Sequence, residues 1–286
     1  MGWTTTTELD AYEAEAGGYV RTHPAAHTIL LTIAATVRES PGRFGDATPR
    51  FGWWRDGDDG EVAGAYAHTL PHPPVLSRMP DRAAAELAEA LRADGTPVTG
   101  VNAGRPAAEA FGAAWGKLTG DEVTVHEKHR LYRLGELVPP DPMPEGRARV
   151  AGEGDRELLV KWVAAFNENV GVEGTATAGR AVDSRIGYGG YTLWERDGEP
   201  VSLCGISRTV AGMARVAPVY TPRELRGRGY AGAATAAVTQ AALDRGVDQV
   251  LLFTDLANPT SNALYQRLGY RPVEDHLNLT FTAAPA

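Results

Sequence analysis

Cysteine is nearly absent from this chain: Cys204 is the only one in 286 residues. A single thiol excludes an intramolecular disulfide and argues against a cysteine-based metal site. Cys204 lies in the apolar run Val201 to Ile206, where a small buried hydrophobe is expected in preference to a reactive thiol. Long apolar runs are missing too, so no segment suits a membrane-spanning helix and no membrane partner is expected. The start of the chain has no basic stretch leading into an apolar one, and a cytoplasmic location is the resulting expectation. Positive charge is scarce: 28 Lys and Arg face 36 Asp and Glu, a net charge of −8. An acidic chain gains little from a polyphosphate backbone, so no nucleic-acid partner is expected. His68 and His72 flank a proline-rich loop with no acidic cluster or cysteine at ligand spacing, so no metal is expected.

Proline is the first informative presence. The stretch Leu137 to Arg147 carries four prolines and suits neither helix nor central strand. It reads as a stiff, extended connection. The expected division is a first domain over 1–136, a linker over 137–146 and a second domain over 147–286.

In the first domain, helical spacing runs over Ala25 to Glu39, with Ile29, Leu30, Ile33 and Val37 on one stripe. Strands are expected over Arg50–Arg55 and Val62–Leu70, separated by the turn-rich segment Asp56 to Gly60. Helices over Ala83–Ala93 and Ala107–Leu118 alternate with a short strand over Val98–Val101 and a closing strand over Val123–Leu134. In the second domain, strand Arg147–Ala151 precedes helix Asp155–Asn169 and a weaker helical or loop segment, Gly174–Arg185. Strands Gly190–Glu195, Pro200–Arg208 and Gly212–Tyr220 follow. Then come helix Gly229–Asp244, strand Gln249–Thr254, helix Thr260–Leu268 and strand Tyr270–Phe281.

The segment Arg226-Gly227-Arg228-Gly229-Tyr230-Ala231 sits between an apolar strand and a helix rich in alanine. The first turn of a helix presents unpaired N–H groups and the positive end of the helix dipole, which together attract an anion. Gly227 and Gly229 let an anion approach the backbone, and Arg226 and Arg228 add mobile charge at the rim. The one tight basic cluster of the chain, Arg223, Arg226 and Arg228, suits a small anionic ligand. A phosphate loop of the Gly-Lys-Ser/Thr type is absent, which disfavours a nucleoside triphosphatase.

This turn resembles the pyrophosphate motif of the GNAT superfamily of acyl-CoA-dependent N-acyltransferases, Arg/Gln-x-x-Gly-x-Gly/Ala. Arg226, Gly229 and Ala231 match it. The order strand, two helices, three strands, helix, strand, helix, strand is similar to that family's order. The resemblance implies an α/β (α+β) fold with two tandem GNAT-like domains, each a mixed, mostly antiparallel sheet flanked by helices. A second stretch, Asp255 to Tyr270, resembles the family's late strand-loop-helix. There Asn258 reads as a helix N-cap, Pro259 as the first helical residue and Gly269 as the terminator.

By resemblance, Tyr265 stands beside the CoA sulfur as general acid and Asn258 contacts the pantetheine arm. Val219 and Tyr220 pair with pantetheine through their main chain, and Arg226, Gly227, Arg228, Gly229, Tyr230 and Ala231 hold the diphosphate. The implied reaction moves an acetyl group from acetyl-CoA, the cosubstrate, to a primary amine of a small molecule or peptide. The alternative is a non-catalytic acyl-CoA sensor or interaction module. The family uses no single fixed base, and Glu195, Asp183, Asp255 and His276 read as surface or capping groups. The matching place in the first domain, Gly100 to Ala107, lacks the motif and has Pro106 where a backbone donor is needed. That half is expected to be a degenerate copy that has lost CoA binding and shapes the acceptor pocket or stiffens the pair; Trp53, Trp54 and Tyr66 read as core first and as pocket lining second.

Overall fold

The computed structural model of the chain describes residues 2–40, 42, 44, 47–57, 60–169 and 175–283. Asp58 and Asp59 of the expected turn and Gly174 of the weak helical segment lie outside them. The chain divides into two compact units. The first comprises Met1–Leu131, Asp255–Ala257 and Val273–Ala286; the second comprises Tyr132–Thr254 and Asn258–Pro272. The final fourteen residues, part of the expected 147–286 segment, thus fall in the first unit.

The first unit contains β1 (Gly2–Thr6), α1 (Leu9–Thr22), α2 (Thr28–Glu39), β2 (Arg50–Arg55), β3 (Val62–His68) and β4 (Val75–Leu76). There follow α3 (Asp81–Ala93), β5 (Gly100–Gly104), α4 (Arg105–Thr119) and most of β6 (Glu122–Leu134). β1, β2, β3 and β4 pair antiparallel in sequence order, and β4 meets β5 in parallel. The C-terminal strand β12 (Tyr270–Thr282) pairs antiparallel with β5, from His276↔Gly104 to Thr280↔Gly100. Helices α1 and α2 cover Phe51, Trp53, Ala65 and Ala67, whereas α3 and α4 pack with Tyr66, Val101, Leu277 and Leu279. Trp53, Trp54 and Tyr66 are all buried, the core role of the two weighed for them.

The first strand was not expected. Four consecutive threonines carry no inside–outside alternation for a reader to follow. Pairing with β2 makes the segment a strand, in register from Gly2↔Arg55 to Thr6↔Phe51. The short strand expected at Val98–Val101 instead begins at Gly100, because it is defined by its pairing with β12 rather than by its valines.

The second unit contains β7 (Arg147–Val150), α5 (Arg156–Asn169), α6 (Thr175–Ile186), β8 (Tyr191–Arg196), β9 (Glu199–Ile206) and β10 (Met213–Tyr220). They are followed by α7 (Tyr230–Asp244), β11 (Gln249–Asp255) and α8 (Pro259–Arg267). Its sheet order is β7-β8-β9-β10-β11, antiparallel throughout except for β10 with β11. Helix α7 lies on one face, and its alanines Ala233, Ala234 and Ala236 pack with Val216, Val250 and Leu252. Small side chains let its backbone approach the sheet closely. Helices α5 and α6 cover the other face, where Leu159, Trp162, Val163 and Val182 pack on Tyr191, Leu193 and Leu203.

The proline-rich segment 137–146 lies within this second unit. Val138 N–H donates to the Leu268 carbonyl at 3.1 Å, and Trp194 Nε1 donates to the Glu145 carbonyl at 3.1 Å. Composition predicted its extended backbone; its docking at the end of α8 and on β8 comes from these contacts.

Candidate active site

Strand β10 has two different neighbours, and the difference creates a fork. Its parallel register with β11 runs from Met213↔Gln249 to Arg215↔Leu251 and stops there, while β10 continues to Tyr220 and β11 to Asp255. On its other side β10 pairs with β9 as Val216↔Ile206 and then, across a bulge, as Val219↔Cys204 and Tyr220↔Leu203. The bulge holds Ala217 and Pro218. Proline has no N–H to give a ladder, and a bulge bends the strand that carries it. Val219 and Tyr220 therefore follow the bend, on the stretch of β10 that no longer pairs with β11. Val219 packs toward α7, and the Tyr220 ring lies 5.9 Å from that of Trp162.

Beyond β10, a single 3-10 turn over Arg223–Leu225 leads into Arg226 to Gly229, all exposed. Gly227 and Gly229 adopt φ of +77° and +83°, the left-handed region that glycine enters without a Cβ penalty. Helix α7 starts at Tyr230 with no side-chain cap. Its first backbone bond is from Ala233 N–H to the Gly229 carbonyl at 3.1 Å. The amides of Tyr230, Ala231 and Gly232 precede that bond and have no intrahelical acceptor.

The Tyr230 side chain turns inward: it is buried, and Arg196 Nη1 donates to its hydroxyl at 3.2 Å. Only its main chain is available at the turn. Arg226 Nε donates to the Thr221 carbonyl at 3.0 Å and Arg228 Nη2 to the Glu224 carbonyl at 3.4 Å, so both side chains bend back along the turn. A Cβ placed on Gly227 would meet nothing within 4 Å. The corner is open rather than filled by its own side chains.

Helix α8 supplies the remaining candidates. Asn258 caps it, its Oδ1 accepting from Ser261 N–H at 3.0 Å, with Pro259 in the first turn. Tyr265 is only 8% exposed and packs in the cluster that contains Cys204, Val216, Tyr230 and Leu252. Burial first, and Cys204 nearby second, hold its hydroxyl well above the ordinary tyrosine range. It is therefore a phenol, with a proton to give, at any physiological pH. Cys204 itself is fully buried, and burial pushes its thiol up to about 12. It is an inert hydrophobe, as its apolar run implied.

Tyr132 joins this region without having been singled out beforehand. Its hydroxyl donates to Asn262 Oδ1 and accepts from Gln266 Nε2, both at 2.9 Å, while Asn262 Nδ2 bonds the Asn258 carbonyl at 2.8 Å. That chain ties the α8 cap to the β6 end of the unit. Nothing local to Tyr132 signals this role, since its partners lie about 130 residues away.

The four base candidates are all engaged elsewhere. Glu195 accepts from Arg149 Nε at 2.6 Å, and Asp183 takes a two-pronged bond from Arg156. Asp255 accepts from Ala257 N–H at 2.8 Å, and His276 pairs with Glu274 at 2.9 Å. In the first unit, β5 runs directly into α4 with Gly104 as N-cap and Pro106 in the first turn. No separate turn intervenes between the two elements there.

A family model described as "Acetyltransferase (GNAT) family" matches residues 161–270, the stretch from α5 through β8, β9, β10, α7, β11 and α8. No curated protein sequence matches the chain. Among solved structures, the chain is similar to a GCN5-related N-acetyltransferase from Sphaerobacter thermophilus, at 19% identity and a TM-score of 0.64, over 99% of this chain and 97% of that one. It is also similar to a GNAT-family acetyltransferase from Colwellia psychrerythraea, at 13% identity and a TM-score of 0.60, over 99% and 100% of the two chains. A tandem GNAT protein from the clavulanic acid biosynthesis pathway matches at 16% identity and a TM-score of 0.57, over 99% of each. The forked strand pair and the open glycine turn thus fall inside the matched region: residues 161–270 are similar to the GNAT acetyltransferase family, and the chain as a whole has the fold of tandem GNAT proteins.

Proposed function

We propose that the second unit transfers an acetyl group from acetyl-CoA to a primary amine of a small molecule or peptide. The carrying observation is the open turn Arg226–Gly229 leading into an uncapped α7 beside a forked β10–β11 pair. The diphosphate of the cosubstrate binds the amides from Gly227 to Ala231, with Arg226 and Arg228 swinging onto its oxygens. The pantetheine arm enters the fork and pairs with the main chain of Val219 and Tyr220, with Asn258 at its flank.

The amine nitrogen, in its neutral form, attacks the thioester carbonyl carbon. The tetrahedral intermediate collapses as the C–S bond breaks. Tyr265 gives its proton to the departing sulfur, releasing free CoA and the amide. The nitrogen loses its proton to water, and Tyr265 recovers one from water. The placement of Tyr265 on α8, packed in the cluster with Val216 and Tyr230 behind the turn, supports this role.

A thiol-release assay over a panel of primary amines with acetyl-CoA tests the reading. Turnover with amide formation is expected. CoA binding with no turnover on any amine would favour an acyl-CoA sensor instead.

A further inference from the structure

Three arginines from separate segments meet on the α5–α6 face of the second unit, beside the β10 bulge. Arg185 lies in the last turn of α6, Arg208 follows β9, and Arg215 lies on β10 at the last residue paired with β11. Arg185 Nη1 donates to the Ala217 carbonyl in the bulge, and its guanidinium lies 5.7 Å from the centre of the Tyr191 ring. The Arg208 guanidinium lies 4.3 Å over Tyr188. Ser207 ties two of the segments together: its hydroxyl accepts from Arg215 N–H at 2.9 Å and donates to the Arg208 carbonyl at 2.9 Å.

Among the described residues, none of the three pairs with a carboxylate, although the chain has more acids than bases. Arg185 and Arg208 have local reasons for their positions, a carbonyl and an aromatic face. Arg215 has neither. It is half-buried, with Arg185 as a neighbouring charge; burial, then that like charge, lowers its guanidinium to about 10. A half-buried cation without a counter-charge costs stability, and a perturbed charge in such a cluster is a candidate for binding a ligand of opposite charge.

We propose that Arg215, with Arg185 and Arg208 around it, binds an oxyanion carried by the acceptor amine, a carboxylate or a phosphate. The assignment rests on the acetyl-transfer reading above. Arg215 lies four residues before Val219 on the same strand, roughly 13 Å of extended chain before the bulge shortens it. That separation fits a compact acceptor, with its amine at the fork and its oxyanion on the arginines. The planar fork of arginine suits either group.

The test compares matched acceptors on the full chain: a phosphate-bearing amine with its alcohol, and an amino acid with its amide. The oxyanion member of at least one pair is expected to have a kcat/KM about tenfold or more above its neutral partner. Whichever pair shows the larger ratio names the oxyanion. Arg215→Gln is expected to remove most of that preference through the acceptor KM, leaving the KM for acetyl-CoA unchanged, and Arg215→Lys to restore part of it. The thermal midpoint of Arg215→Gln is expected to hold or rise, since an unpaired, half-buried charge is removed. Equal turnover of both members of each pair would overturn the assignment while leaving acetyl transfer standing. So would a preference that survives in Arg215→Gln. Absence of turnover with every amine would sink the acetyl-transfer reading first, and this assignment with it.

Discussion

Pro144 lies against Gly229: a Cβ built on the glycine would stand 3.6 Å from the proline Cγ. The proline-rich segment thus walls one side of the turn, while the space around Gly227 stays open. The two glycines share a left-handed backbone, so alanine strains each by about 1–2 kcal/mol. A methyl at Gly227 meets no protein atom and projects into the space assigned to the diphosphate. Gly227→Ala is therefore expected to keep the fold, with a midpoint lowered by a few degrees, and to weaken CoA binding by about tenfold or more. Thermal melts and calorimetry on the same sample check both halves.

Tyr265→Phe removes only an oxygen from a well-packed ring. The neighbouring Tyr270 ring stands edge-on at 6.1 Å and keeps its contact. Stability is expected to change by under about 1 kcal/mol, because no buried methylene is lost. The loss of a positioned proton donor is expected to lower kcat by about 10²-fold, with CoA affinity unaltered. Steady-state rates and a binding titration separate the two effects.

The Arg149 guanidinium spans two acids, Asp155 at 2.8 Å by both prongs and Glu195 at 2.6 Å. This bonding, with help from Gly152 N–H, holds the Asp155 carboxyl below its usual range. A lowered folded-state value means stability that is present above the unfolded value and lost as pH falls through the folded one. Asp155→Asn is expected to be less stable near neutral pH, by about 1 kcal/mol because the pair is partly solvated. The difference from the unmodified chain should shrink below about pH 4 and vanish at lower pH. Denaturant melts across that range read it.

Much of the second unit was readable in the sequence because its chemistry is local. The glycine–arginine turn, the alanine helix behind it, and the Asn258-Pro259 start of α8 each sit within a dozen residues. What escaped was non-local. β1 has no apolar alternation and exists through β2. The fork depends on where the β10–β11 register ends, which no residue type announces. Tyr132 reaches α8 only through tertiary packing, and the arginines at 185, 208 and 215 come from three separate segments. The docking of Pro144 beside Gly229 is likewise invisible in composition, which speaks only of a stiff chain.

Titration of CoA into the full chain by calorimetry bears most directly on the central reading, that the corner between β10 and α7 grips a diphosphate. One saturable site is expected, with affinity that falls when dephosphorylated pantetheine replaces CoA and falls again as salt is raised. An absence of heat and of saturable binding, or equal affinity for pantetheine and CoA, would contradict it.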